Sequence, residues 1–552
     1  MQATLILTNA RILTMDPARP RASAIALAGD RILALGARAP IEALAGPGTE
    51  VIDCKGATLL PGFVESHVHL VLGGAELQHL PLGGVQGMEA VTAAFRAFGA
   101  KHPDRPILMA QGGFHTMLGK PMTRQVLDGI VADRPLAIMA ADHHTVWANT
   151  AALQAADLLH GAPMPAGHEV VMGPDGTATG ELLEFEAFSP IMALGGELRI
   201  NLGIATGEEP VPAPTAAEQA IDRAKTAAGL AHCARHGITS MVNMDGNRYT
   251  IELLRGLQSE GKLTARVKVP FHFKPHMDLS ALDRAEEMQA DFNDEWLSSG
   301  FVKMFMDGVM DSRTAFMLND YPEVPGHRSV ALFPGAEFNR IATEIDRRGL
   351  QIAVHAIGDA AVRTTIDGYD AARKATGPRD SRHRIEHIEL IDPADISRLG
   401  TLGIVASVQP PHAPGAMDFA LEPTIHTLGL SRLKDAYLAR TLAEAGAPIA
   451  YSSDWPVTDV SVLRGIQCAV TRLPFAAEGA EDQRLSLMET LHAYTAGGAF
   501  AAHWDRLTGT LRPGMAADVV VLSGDIESCG AGEIARLDIA LTVAGGRITW
   551  RA

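Results

Sequence analysis

Apolar and polar positions alternate over short runs at both ends of the chain and over longer, helical periods between them. In the first sixty residues the runs 4–8, 11–14, 24–28, 31–35 and 50–53 read as strands, separated by Gly, Pro and Asp. Short strands with turn signals at close spacing are an all-β texture. The same texture returns in GMAADVVVLSGD and DIALTVAGGRITW near the other end. Together the two ends predict one small β-sandwich, made of residues 1–60 and 506–552.

The middle of the chain behaves differently. Eight short apolar runs, near 62–70, 238–246, 265–273, 301–308, 350–359, 383–390, 403–411 and 448–457, alternate with helical patterns such as 215–236, 335–348, 359–376 and 434–446. Eight β/α alternations predict an α/β chain whose residues 61–505 form a (β/α)8 TIM barrel. An open doubly wound sheet is the competing architecture. No G-x-G-x-x-G follows any of the strands, so a dinucleotide site has no support. Residues 73–213 do not fit the repeat. They hold the strand-like runs PILMAQGG and PLAIMAAD and a Gly/Pro-rich tract at 161–180. A connection that long carries structure of its own, so an inserted subdomain is expected after the first barrel strand.

Composition narrows the function. The chain has 552 residues, 47% hydrophobic and 20% charged, which suits a globular protein with a large core. Its net charge of −17 argues against a nucleic-acid binder, which presents a basic face. The four cysteines, Cys54, Cys233, Cys468 and Cys529, are scattered with no C-x-x-C pair. That excludes a disulfide framework or a cysteine zinc knuckle and suits a reducing cytoplasm. The opening MQATLILTNA alternates like a strand rather than a signal peptide. No apolar run approaches the length of a membrane span. A cytoplasmic protein without membrane or nucleic-acid partners is expected.

The chemistry gathers at the predicted strand ends, where barrel enzymes place it. The first strand ends in His67 and His69, two residues apart and therefore facing the same way. The fourth carries Lys303, the fifth ends in His355, the sixth carries His387 and the eighth ends in Asp454. Four imidazoles and a carboxylate converging from different strands suit a divalent transition metal: zinc, manganese, iron or nickel. A lone buried lysine is costly as a cation. As a neutral amine, Lys303 could react with carbon dioxide to form a carbamate, an anion with two oxygens able to bridge two metals. Taken singly, each of these residues reads as a satisfied core histidine or an ion-paired lysine. Their joint placement is what argues for a metal site.

Together HVH after an apolar strand, VKMFMDG, HAIGD, RIEHIEL and SSDWPV resemble the amidohydrolase superfamily. They resemble in particular its branch of N-substituted formamide deformylases and YtcJ-like proteins, amidohydrolase family 3. The likeness extends over essentially the whole chain, including the closing LTGTLRPGMAADVVVL. It implies two divalent ions, with zinc expected. His67 and His69 would hold the more buried ion with Asp454, His355 and His387 would hold the second, and carboxylated Lys303 would bridge them. It also implies hydrolysis by a metal-bridging hydroxide, with Asp454 as general base and then acid. The implied substrate is a small-molecule amide, an N-substituted formamide or other N-acyl amide. A homodimer or homotetramer is the assembly that relatives suggest.

Further candidates concern substrate binding. His143 or His144, in ADHHTVWANTAAL, resembles a family histidine near the substrate; His144 keeps the spacing to Trp147 and Asn149. Arg313, in the DGVMDSRTA segment with Asp307, Ser312 and Thr314, either binds an anionic group or pairs with a carboxylate. Gln409 and His412, in SVQPPH, either donate to the substrate or sit in an ordinary loop. Glu184 reads as a surface or helix-capping residue. The stretch AQGGFHTML at 110–118 lacks the Gly-Trp pair of the branch. That departure and the doubled histidine both fall in the inserted segment and bear on the substrate. Cyclic amide, carbamate or ester hydrolysis on the same centre is the alternative activity. A metal-free barrel scaffold is the alternative outside catalysis.

Overall fold

Buried runs rich in Val, Ile, Phe and Ala form the parallel strands of the larger of two units. The computed structural model describes every residue except Met1, Asp142, Ala166 and Asp418. The described chain divides into one unit of Met1–Leu70 with Thr226–Ala552 and a second of Val71–Lys225. The fold is α/β.

In the first unit, β1 (Phe63–Val68), β2 (Ile238–Asn243) and β3 (Arg266–Lys268) pair side by side in parallel. The other five follow in a second sheet: β4 (Phe301–Phe305), β5 (Gln351–Ala356), β6 (Arg384–His387), β7 (Val405–Val408) and β8 (Ile449–Tyr451). All eight apolar runs of the sequence thus contain a strand. Register keeps their C-terminal ends level: Phe305 stands beside His355, and His355 beside Glu386. Backbone hydrogen bonds also join the two extremes. The Asp454 N–H donates to the His67 carbonyl at 3.1 Å and the His69 N–H to the Trp455 carbonyl at 2.8 Å.

Helices follow most strands: α1 (Arg248–Ser259), α2 (Leu282–Asp291), α3 (Gly335–Arg347), α4 (Asp359–Thr376), α5 (Pro393–Leu402), α6 (Ala439–Glu444) and α7 (Val462–Thr471). Their ends obey local chemistry. Asp392 caps α5 by accepting from the Ala394 N–H, Pro393 occupies the first turn, and Gly403 ends the helix in the left-handed conformation. Ser461 caps α7 in the same way. Buried faces of α1, α3 and α4, among them Leu254, Phe338, Ile341 and Ile366, pack with strand residues such as Val267, Val302 and Ile352 in one continuous core.

Both chain ends contribute strands to two further sheets of this unit. One has the order Arg31–Gly36, Ala24–Ala28, Leu5–Thr8, Glu50–Asp53; the other runs from Arg547–Arg551 through Ile539–Ala544, Val519–Leu522 and Thr58–Pro61 to Arg11–Leu13 and Arg21–Ala22. Leu5, Leu7, Ile25, Leu27, Val519, Val521, Leu541 and Val543 share one apolar core. Arg266 on β3 reaches Asp518 with two nitrogens, at 2.8 and 3.3 Å. Both groups are buried, so losing either partner would cost about 3–5 kcal/mol.

The second unit is a six-stranded mixed sheet, ordered Glu169–Met172, Ala178–Leu183, Thr145–Ala148, Leu136–Ala140, Leu108–Gly113, Leu80–Pro81. Apolar clusters around Phe188 and Ile191 and around Phe95 and Leu108 supply its cores. No helix among the described residues is long and apolar enough to cross a membrane.

Candidate metal centre

The C-terminal ends of the parallel strands, and the segments just beyond them, carry His67, His69, Lys303, His355, His387, His412 and Asp454, all buried. Polar and charged groups removed from water are costly unless partnered, so their contacts determine what this cluster can be.

Asp454 stands at its centre. Oδ1 lies 3.2 Å from Nε2 of His67 and 3.3 Å from Nε2 of His69. Oδ2 lies 3.7 Å from Nε2 of His412 and 3.8 Å from Nδ1 of His387. Burial opposes its charge, but the surrounding imidazoles hold its carboxyl well below the usual range. For His69 burial likewise opposes the charge, and the contacts with Asp245 and Asp454 outweigh it, raising the imidazole to about 9, so an ion bound at its Nε2 would displace a proton.

The Nδ1 atoms of the rings are fixed from outside the cluster. Nδ1 of His67 meets Glu386 at 2.7 Å, that of His69 meets Asp245 at 3.0 Å, and that of His412 meets Glu389 at 3.2 Å. His387 Nδ1 donates to Gln409 Oε1 at 2.9 Å, and the Gln409 amide donates to Ser452 Oγ at 2.8 Å. Carboxylate partners on Nδ1 set the tautomer that leaves Nε2 as a lone-pair donor, the arrangement found behind metal-bound histidines. Glu386 is itself anchored by Arg384, whose Nε and Nη2 donate at 2.7 and 2.9 Å. Burial disfavours this carboxylate, yet Arg384 and His67 keep it far below the usual range.

Three buried atoms at the centre have no hydrogen-bond partner: Nε2 of His67, Nε2 of His412 and Oδ1 of Asp454. Leaving such atoms unsatisfied is unfavourable, and cations bound at the cluster would satisfy them. Two groups of three donors gather with their atoms within 4.8 Å: His67, His69 and Asp454, and His387, His412 and Asp454. Imidazole with carboxylate is a donor set for zinc and its neighbours. These residues fit a divalent metal.

Local backbone strain builds the cluster. Arg384 and Glu386 share one face of β6, so regular alternation would send His387 to the other. Instead His387 and Ile388 take φ of 77° and 47°, and the His387 ring comes 4.9 Å from that of His67. Asp454 also has a positive φ, 59°. Non-glycine residues in this region cost free energy and persist where the surroundings enforce them. Just beyond β2, Gly246 at φ 67° lies so close to His272 that a Cβ would come within 2.2 Å of its ring.

The remaining candidates fall as follows. Lys303 projects beside the cluster, its Nζ 4.4 Å from the centre of the Phe305 ring. Burial lowers its amine to about 8, against the opposing pull of Glu386 and Asp454. The His355 ring lies 4.6 Å from that of His387, and its Nε2 is 3.0 Å from the Gly308 carbonyl. His355 belongs to neither three-donor group. Arg313 pairs with Glu323. Gln409 is engaged by His387 and Ser452. His143, His144 and Trp147 lie in the second unit: His143 Nε2 is 2.9 Å from Glu76, and His144 Nδ1 is 2.8 Å from Glu184. Trp147 is packed in that unit's apolar core, with Nε1 donating to Glu181 at 3.2 Å. Arg384, Asp245, Glu386 and Glu389 escaped the sequence reading. Three of them flank His387 in RIEHIEL, and Asp245 follows β2, the partner of β1, so adjacency to a ligand-bearing strand was the available signal.

The model of the amidohydrolase family matches residues 50–550. Protein LONG AFTER FAR-RED 3 of Arabidopsis thaliana is 29% identical over 94% of this chain and 87% of its own length. A putative amidohydrolase, YtcJ, of Bacillus subtilis is 28% identical over 92% of each chain. N-substituted formamide deformylase of Arthrobacter pascens is 25% identical over 98% of this chain and 97% of its own. Among solved structures, an uncharacterised metal-dependent hydrolase of Pyrococcus horikoshii has a TM-score of 0.73 at 23% identity, covering 96% of this chain and 99% of that one.

Proposed function

From the premise that the chain belongs to the amidohydrolase family, we propose that it hydrolyses the C–N bond of a small N-substituted formamide or other N-acyl amide at the Asp454 cluster. A metal-dependent hydrolase of C–N bonds is what the family supplies. The named amide class rests on the likeness to the formamide deformylase. The observation that carries the site is the set of buried, unsatisfied Nε2 and Oδ1 atoms facing one another around Asp454. The level strand ends and the bonds of Asp454 to His67 on β1 and of His69 to Trp455 beyond β8 support closure of the two parallel sheets into a (β/α)8 barrel.

His67, His69 and Asp454 would hold one ion. His387 and Asp454, with His412 or His355, would hold a second, and zinc is the ion that this donor set suits. Bound divalent ions lower the pKa of water and polarise a scissile carbonyl. The chain's own groups do the rest. Asp454, charged throughout the neutral range, accepts the proton of the attacking water and returns it to the departing amine. Glu386, Asp245 and Glu389 keep the imidazoles in one tautomer. Lys303, with its amine near 8, has a neutral fraction at neutral pH that could take up carbon dioxide as a carbamate, releasing a proton and supplying an anionic group to the ions the cluster would hold.

The test is amine release from a panel of N-alkyl formamides and N-acetyl amides by protein loaded with zinc or manganese in bicarbonate. Turnover that is lost on chelation and restored by metal is expected. Fully loaded protein that releases amine from none of them would contradict the proposal.

A further inference from the structure

The Glu389 carboxylate has two occupants. Oε1 meets Nδ1 of His412 at 3.2 Å, and Oε2 accepts from the Tyr437 O–H at 3.0 Å. The imidazole that Tyr437 reaches in this way is the one whose Nε2 has no hydrogen-bond partner and lies 3.7 Å from Asp454 Oδ2. No lysine or arginine among the described residues pairs with Glu389. Glu386, behind His67, differs, because it holds the Arg384 guanidinium. A neutral hydroxyl thus does behind His412 what a cation does behind His67. Its bond to a charged acceptor is of the stronger kind.

Tyr437 is held for that contact. Its φ is 56°, which for a bulky aromatic residue is an outlier that persists only where the surroundings enforce it. Three bonds enforce it. The Tyr437 N–H donates to the Glu389 carbonyl at 2.8 Å, its O–H donates to the carboxylate of the same residue, and its carbonyl accepts from Arg472 Nη2 at 2.8 Å. The segment before it runs beside the one that follows β6. Leu390 and Ala436 form an antiparallel bridge, and the Ile391 N–H donates to the Asp435 carbonyl at 3.1 Å. Backbone and side chain of Tyr437 therefore both address the residue behind His412. Burial and the charge of Glu389 hold the phenol well above its ordinary range, so it stays a donor.

We propose that Tyr437 is a positioning residue of the second metal site: by fixing the Glu389 carboxylate it sets the His412 ring, and with it the hold on one of the two ions. The inference rests on the metal-centre reading of the cluster. It goes beyond that reading by making the two ions unequal, one controlled from Arg384 and the other from Tyr437.

The test is titration of metal-free Tyr437→Phe with cobalt(II) in bicarbonate, followed by equilibrium dialysis and by the visible absorption of the bound ion. The ring remains, so only the donor is removed. One binding step should weaken about tenfold with an altered absorption band, and the other should be unchanged. In a Glu389→Gln background the same substitution should cost nothing further, because the carboxylate it acts through is gone. A merely structural tyrosine would cost as much in either background. Tyr437→Met, which also lacks the donor, serves if the Phe variant does not fold. Two unchanged steps, two equally weakened steps, or losses that add in the double variant overturn the role while leaving the metal centre in place. If the unsubstituted protein binds no ion, the metal-centre reading fails separately, and nitrogen-15 histidine spectra of the metal-free protein decide. The His412 Nδ1 signal, assigned with His412→Gln, should then shift in Tyr437→Phe but not where Glu389 is already Gln. An unmoved signal overturns the role.

Discussion

Glu389 holds Nδ1 of His412 at 3.2 Å while Nε2 of the same ring points to Asp454 at 3.7 Å, repeating on β7's side the relation between Glu386 and His67. A histidine backed by a carboxylate and facing a shared acidic group is arranged as a ligand. His412→Ala is therefore expected to lose one ion per chain at limiting metal. Glu389→Gln should weaken that site by about 10–100-fold. His355→Ala is the control, measured by equilibrium dialysis. Two ions kept by the His412 variant and one lost by the His355 variant would give the place to His355.

Arg384 and Glu386 form the buried base of the first site. Arg384→Met leaves the Glu386 carboxylate without its counter-ion in a dry interior, and should lower unfolding free energy by about 3–5 kcal/mol. Glu386→Gln keeps the shape but weakens the hold on His67. It should fold and bind metal less tightly, which titration with a chromophoric chelator would register. Stability unchanged in Arg384→Met would show that the pair contributes little.

Much of this was legible in the chain, and what was not has physical causes. The eight apolar runs each hold a strand because each is buried and bounded by turn residues. His67 and His69 share a side because strands have a period of two. His387 is brought to the cluster by positive φ at His387 and Ile388, which no alternation pattern reveals. Glu389 and His412 meet because β6 and β7 are neighbours, a relation between segments 23 residues apart. Trp147, a substrate-binding candidate from its motif, lies buried in the core of the second unit.

Lys303 links metal binding to carbon dioxide. Its amine, near 8 because of burial, is mostly protonated at pH 7 and mostly neutral at pH 9. Reconstitution of the metal-free protein should therefore respond to bicarbonate, and more readily at pH 9 than at pH 7. Lys303→Ala should lose metal and activity, with partial rescue by short carboxylic acids. Loading that ignores bicarbonate at both pH values would exclude the carbamate.

Glu65 provides a pH test of stability. Its Oε1 accepts from the Ser453 N–H at 2.6 Å, but burial raises the carboxyl from its ordinary 4.5 to about 8. The folded state thus favours the protonated acid. That contribution is fully present below about pH 4.5 and is lost as pH rises through about 8. In metal-free protein Glu65→Gln should raise Tm at pH 9 and change it little at pH 5, the difference amounting to a few kcal/mol. A Tm gain independent of pH would contradict this.

The central claim is that the Asp454 cluster is a metal centre, and elemental mass spectrometry of the purified protein tests it most directly. The account predicts about two transition-metal ions per chain, falling when Asp454 or His67 is replaced by Ala. A content near zero that stays there after incubation with zinc, manganese and bicarbonate would contradict it.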